Sequence, residues 1–254
     1  MTVHSLSATR SDPIHEAKVQ LAAALRLATL HELEEGIDNH FTVTVPGRKD
    51  QYLILPFGRH WSEARASDMM VFNEAGDTLE GSGVVELSAR CIHAPIHRLT
   101  GARVVMHTHQ TWALALNMLK NNRLLPASQT AAFYYGHVAY DDTYAGTADF
   151  IEEGERLAGV IGSKHVLFMK NHGVLVTGNT VAQAYRRLYK LERVCRAQVL
   201  ALSTGKPLEI LSDEIVAQVQ APPVNDRHPR AERERLFFEA MMRILDREMP
   251  GYAE

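Results

Sequence analysis

The sequence predicts an α/β domain with a mixed sheet and helices on its faces. Three observations lead there. A helical stretch opens the chain, several short β-rich runs follow, and strands then alternate with helices to about residue 202. Apolar residues recur at helical spacing in the long stretches, whereas β-branched and aromatic residues fill the short ones. No internal repeat or low-complexity run breaks this order, and 254 residues at 46% hydrophobic and 22% charged are ample for one sizeable core.

Residues 1–12 are Ser- and Thr-rich and are expected to fray. A helix begins at Pro13, capped by Ser11 or Asp12, with Leu21, Leu25, Ala28 and Leu33 at roughly helical spacing. The acids Glu32, Glu34 and Glu35 follow; acid at a helix C-terminus opposes the macrodipole, and the cluster reads as a solvated helix end. Phe41–Val45 and Tyr52–Leu55 flank Pro46-Gly47 and read as a hairpin, with Asn39 and His40 at its entrance. Pro56-Phe57-Gly58-Arg59 is a loop, Met69–Phe72 a strand and Glu74–Asp77 a tight turn.

Glu80-Gly81-Ser82-Gly83 is a glycine-rich loop before a helix over 84–99; no Lys follows as in a phosphate-binding P-loop. That helix carries Glu86, Arg90, His93 and His97 in one stripe, which either faces a site or is a solvated face with one ion pair. A strand at 103–109 and a helix at 110–120 come next. The aromatic run Thr130–Tyr140 reads as a strand or loop, in the core or beside a pocket. Thr147–Ile161 is an amphipathic helix with Asp149, Glu152 and Glu153 in its early turns. Strands at 166–169 and 174–178 flank a turn at Asn171-His172-Gly173. A long helix to about Leu202, a Pro-rich linker at 220–228 and a last helix over Arg230–Met249 complete the chain.

Several classes fall away. A net charge of −3 gives no bulk attraction for nucleic acid. Two cysteines, Cys91 and Cys195, make no disulfide framework and read as buried thiols in a reducing cytoplasm. No signal-peptide pattern opens the chain and no apolar run is long enough to cross a membrane. There is no G-x-S-x-G, H-E-x-x-H or G-x-G-x-x-G.

The chemistry gathers on histidines. In a strand, residues i and i+2 share a face, so His107 and His109 would point the same way, a few ångströms apart. His172 sits at a sharp turn between two strands. Three neutral imidazoles with open positions make the donor set of a catalytic metal ion rather than a closed structural one. A divalent ion there is a Lewis acid for a carbonyl or an enediolate oxygen, chemistry that serves aldol cleavage, epimerisation or decarboxylation.

Val104-Val105-Met106-His107-Thr108-His109 followed by a helix, and Lys170-Asn171-His172-Gly173-Val174-Leu175-Val176-Thr177-Gly178 about sixty residues later, together resemble the class II aldolase/adducin family from about Glu16 to Leu202. The resemblance implies a three-layer α/β/α domain over 13–208 with a central mixed, largely antiparallel sheet. Residues 209–254 would then be a C-terminal extension packed on the same domain or a neighbouring subunit. It implies one divalent ion on His107, His109 and His172, zinc above manganese or iron. It also implies a small-molecule substrate and a cytoplasmic homotetramer with the active site at a subunit interface. Asn39, Gly58 and Ser82 fall where the family's sugar-phosphate aldolases bind the substrate phosphate.

Two departures matter. Counting back from His93, the family's acid/base Glu falls on Ala89, and Glu86 lies one turn early. The family's Thr-Gly in the phosphate loop is Phe57-Gly58 here. The second removes a hydroxyl donor, and the helix looks more like the adducin-like branch, which includes metal-dependent decarboxylases, iron-dependent oxygenases and non-catalytic adducin heads. The first expectation is a divalent-metal-dependent lyase acting on a small carbonyl or carboxylate through a metal-stabilised enolate. Glu86, Tyr134 or Tyr144 would transfer the proton. The alternatives are an adducin-like interaction domain and an iron-dependent oxygenase.

Overall fold

Asp12 opens the first helix, α1 (Pro13–Leu30). Its carboxylate accepts from the Ile14 N–H at 3.0 Å, and Pro13 stands where no helical donor is needed. The computed structural model describes residues 12–144, 146, 148–222 and 229–254. The expected frayed start, apart from Asp12, and most of the 220–228 linker therefore lie outside the described residues.

The described strands are β1 (His40–Thr44), β2 (Gln51–Ile54), β3 (Met70–Asn73), β4 (Thr78–Glu80), β5 (Val104–Thr108), β6 (Val138–Asp141), β7 (Val166–Met169) and β8 (Gly173–Gly178). They form one sheet in the order β4-β3-β2-β1-β5-β8-β7-β6. Only the β6–β7 pair is parallel. The helices after α1 are α2 (Leu87–Thr100), α3 (Thr111–Asn117), α4 (Gln129–Ala132), α5 (Ile151–Ile161), α6 (Val181–Leu202), α7 (Asp213–Gln220) and α8 (Arg230–Glu248).

Alternation along the strands sorts side chains between two cores. Phe41, Val43, Val104, Met106, Phe168, Val174 and Val176 pack with α1, α3, α6 and α8. Val105, Leu167 and Leu175 point the other way, onto Ile92 and Ile96 of α2 and Leu157 and Ile161 of α5. The outcome is the expected three-layer α/β/α arrangement with a mixed, largely antiparallel sheet. By the same alternation His107 leaves the sheet on the α2–α5 side, as do His40 and Thr42 of the paired β1.

Some elements differ from expectation. The glycine-rich loop is preceded by a short edge strand, β4, whose residues are all exposed and therefore show no hydrophobic alternation to read. The run 130–140 divides into the end of α4, a set of turns and β6. The helix expected over 84–99 starts at Leu87. The one expected from Thr147 starts at Ile151, so Asp149 stands before it, and Thr147 lies outside the described residues.

Several contacts lock the helices in place. Pro95 has no N–H to bond the Cys91 carbonyl one turn earlier in α2. Gly154 of α5 crosses at that carbonyl, so closely that a Cβ there would lie 1.9 Å from the Cys91 oxygen. On the other face, α8 packs on α6 and α1, with the Tyr185 and Phe238 rings 5.8 Å apart. The buried Arg26 guanidinium donates to the carbonyls of Ala64, Met249 and Pro250. Ala66 and Ser67 N–H groups donate to Tyr252 and Glu254 carbonyls, both at 2.8 Å. Both cysteines are buried and free.

Candidate metal centre

His107 is fixed first. It sits near the end of the central strand β5, and its Nδ1–H donates to the Val174 carbonyl of β8 at 3.0 Å. A carbonyl only accepts, so the tautomer is set and the Nε2 lone pair faces outward. His109, one residue beyond the strand, is held in the same way. Its Nδ1 lies 2.5 Å from the Glu35 carboxylate, and its backbone N–H donates to Asn39 Oδ1 at 3.2 Å. Asn39 Oδ1 also accepts from the Glu35 N–H at 3.0 Å, so one amide ties the carboxylate's segment to the imidazole's.

His172 arrives on the β7–β8 turn. Asn171 takes the left-handed conformation at φ 55°, and the His172 N–H closes onto the Met169 carbonyl at 3.0 Å. Asn117, at the end of α3, donates its side-chain amide to the Met169 and Gly173 carbonyls and so braces both sides of the turn. Gly173 is needed for space: a Cβ would stand 2.6 Å from the Thr108 carbonyl and 2.8 Å from His109 Cδ2.

The three rings lie with centroids 4.9 Å apart, and one ligand nitrogen from each falls within 4.8 Å of the others. His107 Nε2 and His109 Nε2 are 3.1 Å apart. With both Nδ1 atoms held by oxygen acceptors, the two Nε2 atoms are turned toward one point, where a cation would be held. Nitrogens bound at about 2.0–2.1 Å to one tetrahedral zinc ion would stand at a similar separation. The donor set fits a divalent metal. Burial, reinforced by His172, His40 and His109, holds the His107 imidazole well below its ordinary pKa. Burial and His109 lower His172 to about 4. Both rings are therefore neutral, as ligands must be.

Beside the triad is a pocket lined in part by Asn39, His40, Gly58, Arg59 and Glu86. The loops carrying Gly58 and Ser82 meet here, since the Phe57 N–H donates to the Val84 carbonyl at 2.9 Å. Ser82 is exposed. Glu86 stands just before the first turn of α2 without a side-chain cap bond, and its Oε1 lies 2.7 Å from Ser88 Oγ. Burial raises the Glu86 pKa; Asp38 adds to this, while Ser88 and His109 oppose it. Tyr144 is 57% exposed.

Three expectations need correction. Tyr134 does not reach the centre. It packs in the core on the opposite face of the sheet, and its hydroxyl donates to the Arg187 carbonyl at 2.7 Å. The acids after α1 are not simply a solvated helix end, because the Glu35 carboxylate meets His109 Nδ1. The stripe on α2 is divided: Glu86 lines the pocket, whereas His93 and His97 are buried in a hydrogen-bonded chain with His40 and Thr42. Sequence reasoning also missed Asn117 and Glu192, whose carboxylate accepts from the Trp112 and Ala113 N–H groups and fixes the start of α3 just after His109. A lone Asn or Glu inside a helical pattern carries no signal of such roles.

The family model described as the class II aldolase and adducin N-terminal domain matches residues 19–199. A Caulobacter vibrioides protein named after the class 2 aldolases is 32% identical over 252 residues, 98% of this chain and 96% of its own. The decarboxylase NovR of Streptomyces niveus is 31% identical over 197 residues, 76% of this chain and 72% of its own. The crystal structure of an aldolase II superfamily protein from Pseudomonas syringae superposes with a TM-score of 0.87 at 31% identity, covering 97% of this chain and 98% of that one. The chain belongs to the class II aldolase/adducin family.

Proposed function

We propose that this protein is a divalent-metal-dependent lyase that cleaves a small carbonyl or carboxylate substrate by aldol cleavage or decarboxylation. The observation that carries the reading is the close approach of His107 Nε2 and His109 Nε2, 3.1 Å apart, with His172 closing the triad. A divalent ion held there, zinc before manganese or iron, supplies a Lewis acid that withdraws electrons from a substrate oxygen. The residues do the rest. Glu86, in the adjoining pocket, gives and takes the proton. The loops of Gly58 and Ser82 receive the anionic end of the substrate, near Arg59. Asn39 serves by holding His109 and Glu35 in place; most of its amide is already committed. Tyr144, exposed beyond β6, is available to an adjoining copy.

A homotetramer in the cytoplasm fits this reading. Phe57, Val84 and Leu87 are exposed around the pocket mouth, where a neighbouring subunit would cover them. Among the described residues no helix is long and apolar enough to cross a membrane.

The test is elemental analysis of the purified protein beside His172→Ala. One zinc, manganese or iron per chain, absent from the variant, is expected. Full metal content in His172→Ala would overturn the assignment. Turnover that required both Fe(II) and O₂ would replace the lyase with an oxygenase.

A further inference from the structure

A second concavity lies at the end of the sheet away from the histidine triad. Strands β1 and β5 pair from His40 with His107, at the triad, to Val43 with Val104, roughly 10 Å of strand further on. There the starts of α1 and α6 and the β1–β2 turn surround a cleft of about 580 Å³. Small-molecule sites span about 300–1,000 Å³. The cleft shares no lining residue with the pocket beside the triad.

Its lining is apolar in part and basic in part. Ala17, Val43, Val45, Val104 and Val181 supply the apolar side. The cations are Arg48 and Lys49 from the β1–β2 turn and Arg103, the residue before β5. Backbone bonds fix where these side chains begin. The Arg103 N–H donates to the Gly178 carbonyl at 3.1 Å, and the Arg103 carbonyl accepts from the Thr44 N–H at 2.8 Å. The Arg48 N–H closes the turn onto the Val45 carbonyl at 3.0 Å. Arg48 is engaged in an ion pair with Glu80. Among the described residues, the Arg103 guanidinium and the Lys49 ammonium have no side-chain hydrogen bond or ion pair. The acid of the lining is Glu16, which accepts from Gln20 Nε2 at 3.1 Å. The chain as a whole carries a charge of −3, so this excess of cations is local.

We propose that the cleft is a second small-molecule site, one that takes a phosphomonoester with an apolar body. The charges select the group. A phosphomonoester carries about −1.5 to −2 at pH 7, which two unengaged cations balance; a carboxylate would leave one of them over. A guanidinium can bind two phosphate oxygens at once, and the Lys49 ammonium adds a point charge on a flexible stem. The start of α6 adds the positive end of a 22-residue helix to the same field. The apolar lining takes the remainder of the ligand out of water. A ligand seated here is separate from the substrate of the metal centre, because the two concavities stand at opposite ends of β1 and β5.

The probe is phenyl phosphate, its binding to the purified protein followed by saturation-transfer NMR of the ring protons. Saturable binding is expected, weakened about tenfold in Arg103→Gln by the loss of charge-assisted hydrogen bonds. Lys49→Gln should weaken it less, through charge alone. Benzyl alcohol has the same ring without the charge and should bind less tightly. Arg103 and Lys49 are both exposed, so the variants keep the fold. Arg59→Gln separates the two concavities, since Arg59 lines the pocket beside the triad: the Arg103-dependent binding should persist in it. Absence of saturable binding, equal binding of benzyl alcohol, an affinity unchanged by Arg103→Gln, or loss of all binding in Arg59→Gln overturns the proposal. The metal assignment is judged separately by the His172→Ala metal content.

Discussion

At the scale of the residue, the centre depends on groups that no metal would touch. Gly173 leaves room for the His107 and His109 rings, and a methyl group there has nowhere to go. Gly173→Ala is expected to lower metal affinity by about tenfold or more, with little change in helical circular dichroism, as read by competition with a chromogenic chelator. Glu35→Gln keeps the shape of the side chain but removes the charge that faces His109 Nδ1. Loss of such a partner weakens metal affinity by about 10–100-fold; unchanged affinity would mean that the contact is idle. The histidine triad was legible in the sequence because strand periodicity puts His107 and His109 on one face and because Asn-x-Gly bends the chain at His172. Glu35 was not legible: acid after a helix looks the same whether it meets water or an imidazole brought from the middle of the sheet. Tyr134 misled for the reverse reason. An aromatic run does not reveal which face of the sheet it will cover.

At the scale of the element, the crossing of α2 and α5 reverses an ordinary rule. Replacing a helical Gly by Ala usually gains up to about 1 kcal/mol. At Gly154 the added methyl would meet the Cys91 carbonyl at 1.9 Å, so the helices must part. Overpacking of this kind costs about 1–3 kcal/mol, and Gly154→Ala should lower the urea midpoint. A higher midpoint would show that the crossing is looser than described. Long elements were readable from their periodicity: α1, α6 and α8 fill the windows expected of them. The edge strand β4 and the short helices α4 and α7 span too few residues for a period to register, and their positions are set by what they pack against.

At the scale of the molecule, buried neutral histidines make the fold sensitive to acid. Burial holds His40, His93 and His107 well below 6.5, and brings His97, His165 and His172 to about 4. Between those values the unfolded chain binds more protons than the folded one. Stability is therefore fully present above 6.5 and is lost as the pH falls toward the folded values. Urea midpoints should drop between about pH 7.5 and pH 5, more steeply than in a His93→Gln, His97→Gln variant if that variant folds. A flat profile would mean that these rings accept protons inside the fold. The three-layer class was legible because alternating strands and amphipathic helices leave few other ways to bury both faces of a sheet. The seating of residues 249–254 was not, because nothing in Arg26 announces that its partners lie more than two hundred positions away.

That seating has a consequence for the order of events on the ribosome. Arg26 is made early, and two of the carbonyls that receive its guanidinium belong to Met249 and Pro250. Until those residues leave the exit tunnel, the Arg26 guanidinium must find water or another acceptor in their place. Translation halted before residue 249 would therefore leave a nascent chain that carries the histidine triad but leaves Arg26 without two of its acceptors.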